Sequence, residues 1–263
     1  MVGSWWQALQ ARREAAAVQR RAVPDDLWKR TLVRYPFLQR RDPADGAELR
    51  RLTSLFLDRK EFTCTGGLKL TDAMAVSIAA QAALPVLRLG LDVYEGFVGI
   101  TVHPDVVVAQ RSQEDVDGVV HEFEAELLGE VIPGGPVMLS WPHVRRAGHS
   151  AAASLNVVIH EFVHVLERAA GGLPPLPPGL TAQEFDSTLA QEFAHFVQRV
   201  EADETTVLDP YGASAQDEFF AVASEAFFVN AAQMQKEHPV LYGMLCRLFL
   251  QDPAADQPPA RRT

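Results

Sequence analysis

The stretch NVVIHEFVHVLE, residues 156–167, places two histidines four positions apart, with a glutamate directly after the first. On an α-helix, positions i and i+4 share one face about a turn apart, so His160 and His164 present two imidazoles to a single metal ion. Glu161 points off that axis, outside the ligand set, yet within reach of a water at the metal. Two imidazole ligands and one carboxylate acting as general base is the chemistry that this HExxH spacing serves. Val157, Val158, Ile159, Val163, Val165 and Leu166 make the same helix apolar on most sides, which predicts that it is buried. Two unpaired imidazoles and a carboxylate are costly there. That cost favours a metal site over a pair of core histidines bonded to carbonyls.

A catalytic zinc takes a third protein ligand and keeps a fourth position open. The downstream carboxylates are Glu184, Glu192, Glu201, Glu204, Glu218 and Glu225. Glu184 follows His164 at a spacing reminiscent of thermolysin-like enzymes, but its context TAQEFDS reads as a helix start, where acidic residues are common. Glu218 and Glu225 lie in LDPYGASAQDEFFAVASEAFF, two helical turns apart on one face. Two carboxylates on the buried side of one helix want a cation or imidazole N–H groups. That favours Glu218 as ligand and Glu225 as the group orienting a ligand histidine, although spacing alone does not choose between them. Two weaker matches read as structural: HEFEAE at His121 lacks the second histidine, and EFAH at Glu192 to His195 has one imidazole.

The elements that must position these groups are legible in outline. Residues 4–21, 44–60, 70–87, 155–172, 181–201, 215–234 and 238–250 read as helices, with Thr71 as an N-cap, Pro85 limiting the C-terminal end of its helix and Gly171-Gly172 ending the central helix. FVGITVHP (97–104) and GPVMLSW (135–141) read as strands, with a short element at HEFEAELLGE between them. An extended peptide is expected to pair with the edge of GPVMLSW. Without a dividing linker, residues 1–250 read as one domain of mixed α and β content, and 251–263 as a disordered tail.

Composition narrows the function. A chain of 263 residues buries a core without disulfides or structural metals, so a metal site is free to be functional. The net charge of -10 disfavours nonspecific nucleic-acid or anionic-membrane binding. The arginines of the first 41 residues read as a solvated helical face. Cys64 and Cys246 fit neither a disulfide framework nor a CxxC site, and no apolar run reaches the roughly 18 residues of a membrane span. The expected location is the cytoplasm.

Taken in order, FLDRKEF, MAVSIAAQAALPVLRLGLDVYEGF, GPVMLSW, NVVIHEFVHVLE, LDPYGASAQDEFFAVASEAFF and LYGMLCRLFLQDP carry a specific resemblance. The chain resembles the Mlc titration factor A family of bacterial zinc metallopeptidases, whose catalytic region is similar to that of anthrax lethal factor. The resemblance implies an α+β, zincin-like fold with a small mixed sheet, largely helical elsewhere. It implies Zn2+ held by His160, His164 and Glu218, with Glu161 as general base and Tyr211 assisting at the transition state. It also implies a peptide substrate, aminopeptidase activity, and a DNA-binding repressor of the Mlc type as a partner. Two departures stand out. Glu167 replaces the family's usual Asp, and the loop over 167–180 is shorter than usual, which alters the rim of the site.

Overall fold

The computed structural model describes residues 2–39, 42–105, 107–114, 120–127, 129–131, 135–147, 155–169 and 171–255. The N-terminal part is helical: α1 (Val2–Arg20), α2 (Asp25–Arg34), α3 (Pro43–Arg59) and α4 (Asp72–Ala83). Local chemistry sets their ends. Asp42 accepts the Asp45 N–H and Pro43 opens α3, where a missing N–H costs nothing. Thr71 accepts the Met74 N–H at the start of α4, and the helix stops two residues short of Pro85, as predicted.

A four-stranded mixed sheet follows, built from β1 (Glu61–Cys64), β2 (Gly99–His103), β5 (Gly129–Val131) and β6 (Val137–Ser140). Its order is β1-β2-β6-β5, with the first three parallel and β5 antiparallel to β6. Ile100, Val102, Val137 and Leu139 alternate onto the face that the core covers completely. Two short strands thus fall where predicted, and β1 and β5 add to them. The expected peptide-pairing edge is corrected: β6 is hydrogen-bonded on both sides, and β5 ends the row. The single short element expected at HEFEAELLGE is parts of two strands, since its last two residues belong to β5. Its first part lies in β4 (Val120–Leu127), which pairs with β3 (Val107–Glu114) as a separate antiparallel hairpin.

The motif helix α6 (Val157–Ala169) packs against β5 and β6 on one side and against α4 and α8 (Gln216–Val229) on others. Its apolar residues Val158, Ile159, Phe162, Val163 and Leu166 are fully buried. Phe162 stacks edge-on against Phe56, Tyr94 and Phe97 at centroid distances of 5.2–5.7 Å. Lys60 secures that cluster, donating to the carbonyls of Tyr94 and Phe97 and lying 3.9 Å over the Phe97 ring. Gly171 and Gly172, at φ 79° and 106°, end α6, and the Gly172 N–H bonds the Glu167 carbonyl at 2.8 Å.

Among the remaining helices, α5 (Trp141–Arg146), α7 (Ala182–Glu201), α9 (Ala231–Glu237) and α10 (Pro239–Phe249), one expectation needs correction. The predicted helix over 215–234 is two helices. It breaks at Asn230, whose backbone at φ -130°, ψ 46° is non-helical. The expected tail is also partly docked. Gln251 is buried and donates to the Leu84 carbonyl, and Asp252 accepts from the Tyr242 hydroxyl at 2.7 Å, so 251–255 close over the core. Residues 256–263 lie outside the described residues. No described helix is long and apolar enough to cross a membrane.

Candidate metal centre

Two helices that cross in the core build the centre. α6 presents His160 and His164 one turn apart, and α8 presents Glu218 from its first turn and Glu225 two turns later. His160 Nε2 lies 3.0 Å from Glu218 Oε2 and 3.3 Å from His164 Nε2, and His164 Nε2 lies 3.5 Å from Glu218 Oε2. The outer nitrogens are also engaged. His160 Nδ1 donates to Glu225 at 2.7 Å, and His164 Nδ1 donates to Glu167 at 3.1 Å. With both protons on Nδ1, two Nε2 lone pairs and a carboxylate oxygen converge on one point.

This donor set fits a metal. Three ligand atoms at the roughly 2.0–2.1 Å bond lengths of tetrahedral zinc stand about 3.3 Å from one another. The observed separations of 3.0–3.5 Å bracket that value. Three lone pairs facing one another repel unless a cation or protons lie between them. His160, His164 and Glu218 form the metal-competent cluster among the described residues.

The electrostatics point the same way. Burial alone would push both imidazoles down, but the carboxylates outweigh it. Glu218 and Glu225 raise His160 well above the usual histidine range, and Glu167 and Glu218 raise His164 to about 9. Burial also works against the Glu218 charge, yet its two imidazole partners hold the carboxyl far below the usual range. Burial pushes Glu161 up to about 7, against the pull of both histidines.

Glu161 is 6% exposed and lies directly on the β5 backbone. A Cβ built on Gly129 would fall 2.5 Å from Glu161 Cγ and Oε1. Only a residue without a side chain lets the carboxylate settle there. Tyr211 stands in a short turn of 3-10 helix, Pro210–Ala213, pinned by Asp209 accepting its N–H at 2.8 Å. Its ring lies 6.2 Å from the His160 imidazole and is 56% exposed, so it borders the open side of the centre.

The other candidates lie elsewhere. Glu184 pairs with Arg247 on the surface. Glu204 pairs with Arg199, and Glu192 lies 3.8 Å from the His238 ring nitrogen. His121 falls on β4, which supplies none of the residues of the cluster. Glu167, noted in the sequence only as a departure, holds His164.

Three residues escaped the sequence reading: Gly129, Asn156 and Gln81. Asn156 is fully buried and caps α6, its Oδ1 accepting the Ile159 N–H at 3.1 Å. Its backbone N–H donates to Glu225, and its Nδ2 donates to Gln81 Oε1 at 2.9 Å. A buried chain of polar groups therefore runs from α4 through Asn156 and Glu225 to His160. The capping position before an apolar helix was the signal that could have found Asn156; Gln81, inside an alanine-rich run, gave none.

Known proteins place this geometry in a family. Residues 7–250 match the model of the glucose-regulated metallo-peptidase M90 family. An uncharacterised protein of Synechocystis sp. is 32% identical over 92% of this chain and 89% of its own length. The Mlc titration factor A of Serratia proteamaculans is 34% identical, covering 81% of this chain and 84% of its own. That of Klebsiella pneumoniae is 29% identical, with 86% of each chain covered. The match spans the helical N-terminal part, the sheet and both helices of the centre, and the chain belongs to the glucose-regulated metallo-peptidase M90 family.

Proposed function

We propose that the chain is a zinc-dependent peptidase of zincin-like fold, with His160, His164 and Glu218 as the metal ligands and residues 1–250 as one catalytic unit. The observation that carries this reading is the convergence of two imidazole nitrogens and a carboxylate oxygen, each imidazole braced behind by its own carboxylate. Zinc, when bound, supplies a Lewis acid for a peptide carbonyl and an acidified water at neutral pH.

The chain's own groups do the rest. Glu161 accepts a proton from the attacking water and passes it to the leaving amine nitrogen. Burial raises this carboxyl above the usual glutamate range, which strengthens it as a proton acceptor. Tyr211 donates its hydroxyl proton in a hydrogen bond to the developing oxyanion, a role worth about 3 kcal/mol at comparable sites. Glu225 and Glu167 hold the imidazoles in the tautomer that leaves Nε2 free. An extended peptide pairs with the outer edge of β5, the last strand of the sheet among the described residues, where main-chain bonds give affinity with little sequence preference. Gly129 brings that strand against Glu161, so the scissile bond is delivered beside the general base. Action on amino-terminal residues rests on the family resemblance. A cytoplasmic site of action is in keeping with the free Cys64 and Cys246.

A second reading draws on the name of the Serratia and Klebsiella relatives. The chain then acts by binding a DNA-binding repressor of the Mlc type, and its net charge of -10 complements a basic DNA-reading face. Neither reading involves direct contact with nucleic acid.

The test combines metal quantification with cleavage of aminoacyl chromogenic substrates and of the same peptides with blocked N-termini. The expected result is about one zinc per chain, lost in His160→Ala, and cleavage only of the unblocked set. Protein that holds no divalent metal after folding with zinc would sink the peptidase reading. Glu161→Gln separates the two readings, because a pure binder keeps its effect.

A further inference from the structure

The metal centre uses none of the arginines, and three of them meet elsewhere. Arg34, in the last turn of α2, and Arg145 and Arg146, in the last turn of α5, line a surface concavity of about 260 Å3 with Pro142. Two bonds lock these helix ends together. The Tyr35 hydroxyl, on a fully buried ring, donates to the Val144 carbonyl at 3.0 Å, and Arg34 Nη2 donates to the Arg145 carbonyl at 3.3 Å. The three arginines thus stand on two helix ends that are held together.

Their partners are the point of interest. Arg50, Arg51, Arg59 and Arg88 each pair with a carboxylate. Among the described residues, Arg34, Arg145 and Arg146 pair with none. Arg34 Nε is buried and makes no hydrogen bond among the described residues, so this guanidinium keeps donor capacity that its bond to α5 does not use.

The ordinary explanation is that basic residues settle at helix C-termini. It covers only part of the charge. Two helix ends contribute about half a negative charge each, against three guanidinium groups, which leaves about two positive charges at the concavity. In a chain of net charge -10 this local excess runs against the whole.

We propose that Arg34, Arg145 and Arg146 form a binding site for a small phosphate monoester. The dianion matches the local excess, and planar guanidinium forks bind phosphate oxygens in pairs. Arg34, half-buried, forms the wall of the concavity, and the exposed Arg145 and Arg146 form its rim. The volume sets the size of the ligand. At about 260 Å3 the concavity is smaller than the roughly 300–1,000 Å3 clefts that take drug-sized ligands and has room for one phosphate group and a short carrier. The site is independent of the peptidase reading and shares no residue with the metal centre.

The test is calorimetric titration of the full zinc-loaded chain with inorganic phosphate and with glycerol phosphate. Saturable binding of the monoester is expected. It should weaken by at least about tenfold in the double variant Arg145→Gln/Arg146→Gln, because each lost fork removes charge-assisted bonds. Those side chains are exposed, so the variant should melt and cleave peptide as the parent does. Arg34→Gln, which also loses its bond to α5, is read by titration only if its melting curve is unchanged. No saturable binding, binding that survives the double variant, or binding of duplex DNA in place of the monoester would each overturn the proposal.

Discussion

Gly129→Ala is the sharpest probe of how the general base is held. The new Cβ would stand 2.5 Å from Glu161 Cγ and Oε1 and 2.7 Å from Cδ. Carbon atoms in contact keep about 3.5–4.0 Å, so something must move by roughly 1 Å. The strand cannot retreat freely, since Gly129 is in register with Leu139 on β6. The carboxylate therefore shifts, although it is only 6% exposed and sits on a packed helix. A displacement of about 1 Å at a reacting group costs on the order of 10²-fold in rate. Overpacking costs about 1–3 kcal/mol of stability, or roughly 2–10 °C in Tm for a chain of this size. No metal ligand is touched, so zinc content should stay at the parental level. The assay is kcat/KM on a short peptide, with zinc and Tm measured on the same preparations. In a Glu161→Gln background the same alanine should cost little further activity, because its target is already disabled. A Gly129→Ala enzyme as active as the parent would refute the argument. So would an equal loss in the Gln background, which would indicate general damage to the sheet.

Other substitutions divide the centre by role. Glu218→Ala should strip the metal and Glu184→Ala should leave it, since Glu184 is engaged with Arg247; metal analysis of both decides. Glu225→Ala should fall between, weakening zinc binding by about 10- to 100-fold in a chelator competition, as expected for a group that orients a ligand. Glu161→Gln should keep its zinc while peptide cleavage drops by about 10²- to 10⁴-fold, and Tyr211→Phe should keep zinc with a smaller loss. Away from the site, burial presses the Lys60 ammonium down to about 8 from an unfolded value near 10.5. The unfolded chain therefore binds the extra proton between those two values, and the parent should gain stability over Lys60→Met as pH rises from about 8 to 10.5. A stability difference that stays flat across that window in urea denaturation would contradict this.

The parts of the fold carried by local signals were legible, and the parts set by distant partners were not. His160, Glu161 and His164 announce themselves because four-residue spacing on an apolar helix leaves few other meanings. Thr71, Pro85 and Gly171 fixed helix ends because capping and stopping depend on the residues alone. β5 is three residues of GEV with no periodicity to find, so the edge was assigned to β6, its neighbour. The break at Asn230 hides because no Gly or Pro marks it between residues 216 and 238. Glu184 was ambiguous because Arg247, which claims it, lies 63 positions away. Gln251 reads as the start of a polar tail, and only the Leu84 carbonyl across the core explains why it is inside.

The buried chain from Gln81 through Asn156 and Glu225 to His160 also bears on how α6 is oriented. Val157, Val158, Ile159, Phe162, Val163, Val165 and Leu166 cover the wider part of that helix and leave a stripe of His160, His164 and Glu167. So broad an apolar side sets the rotation of the helix only coarsely, and one residue of slip is a turn of about 100°. The Asn156 cap and the Glu225 carboxylate act as a key in a slot: only one rotation satisfies them both. Replacing Gln81, Asn156 and Glu225 with apolar residues of similar volume would keep α6 inside, since buried polar clusters add little net stability. It would remove what distinguishes His160 facing α8 from Ile159 or Glu161 facing it. The cluster's contribution is a single orientation of the helix.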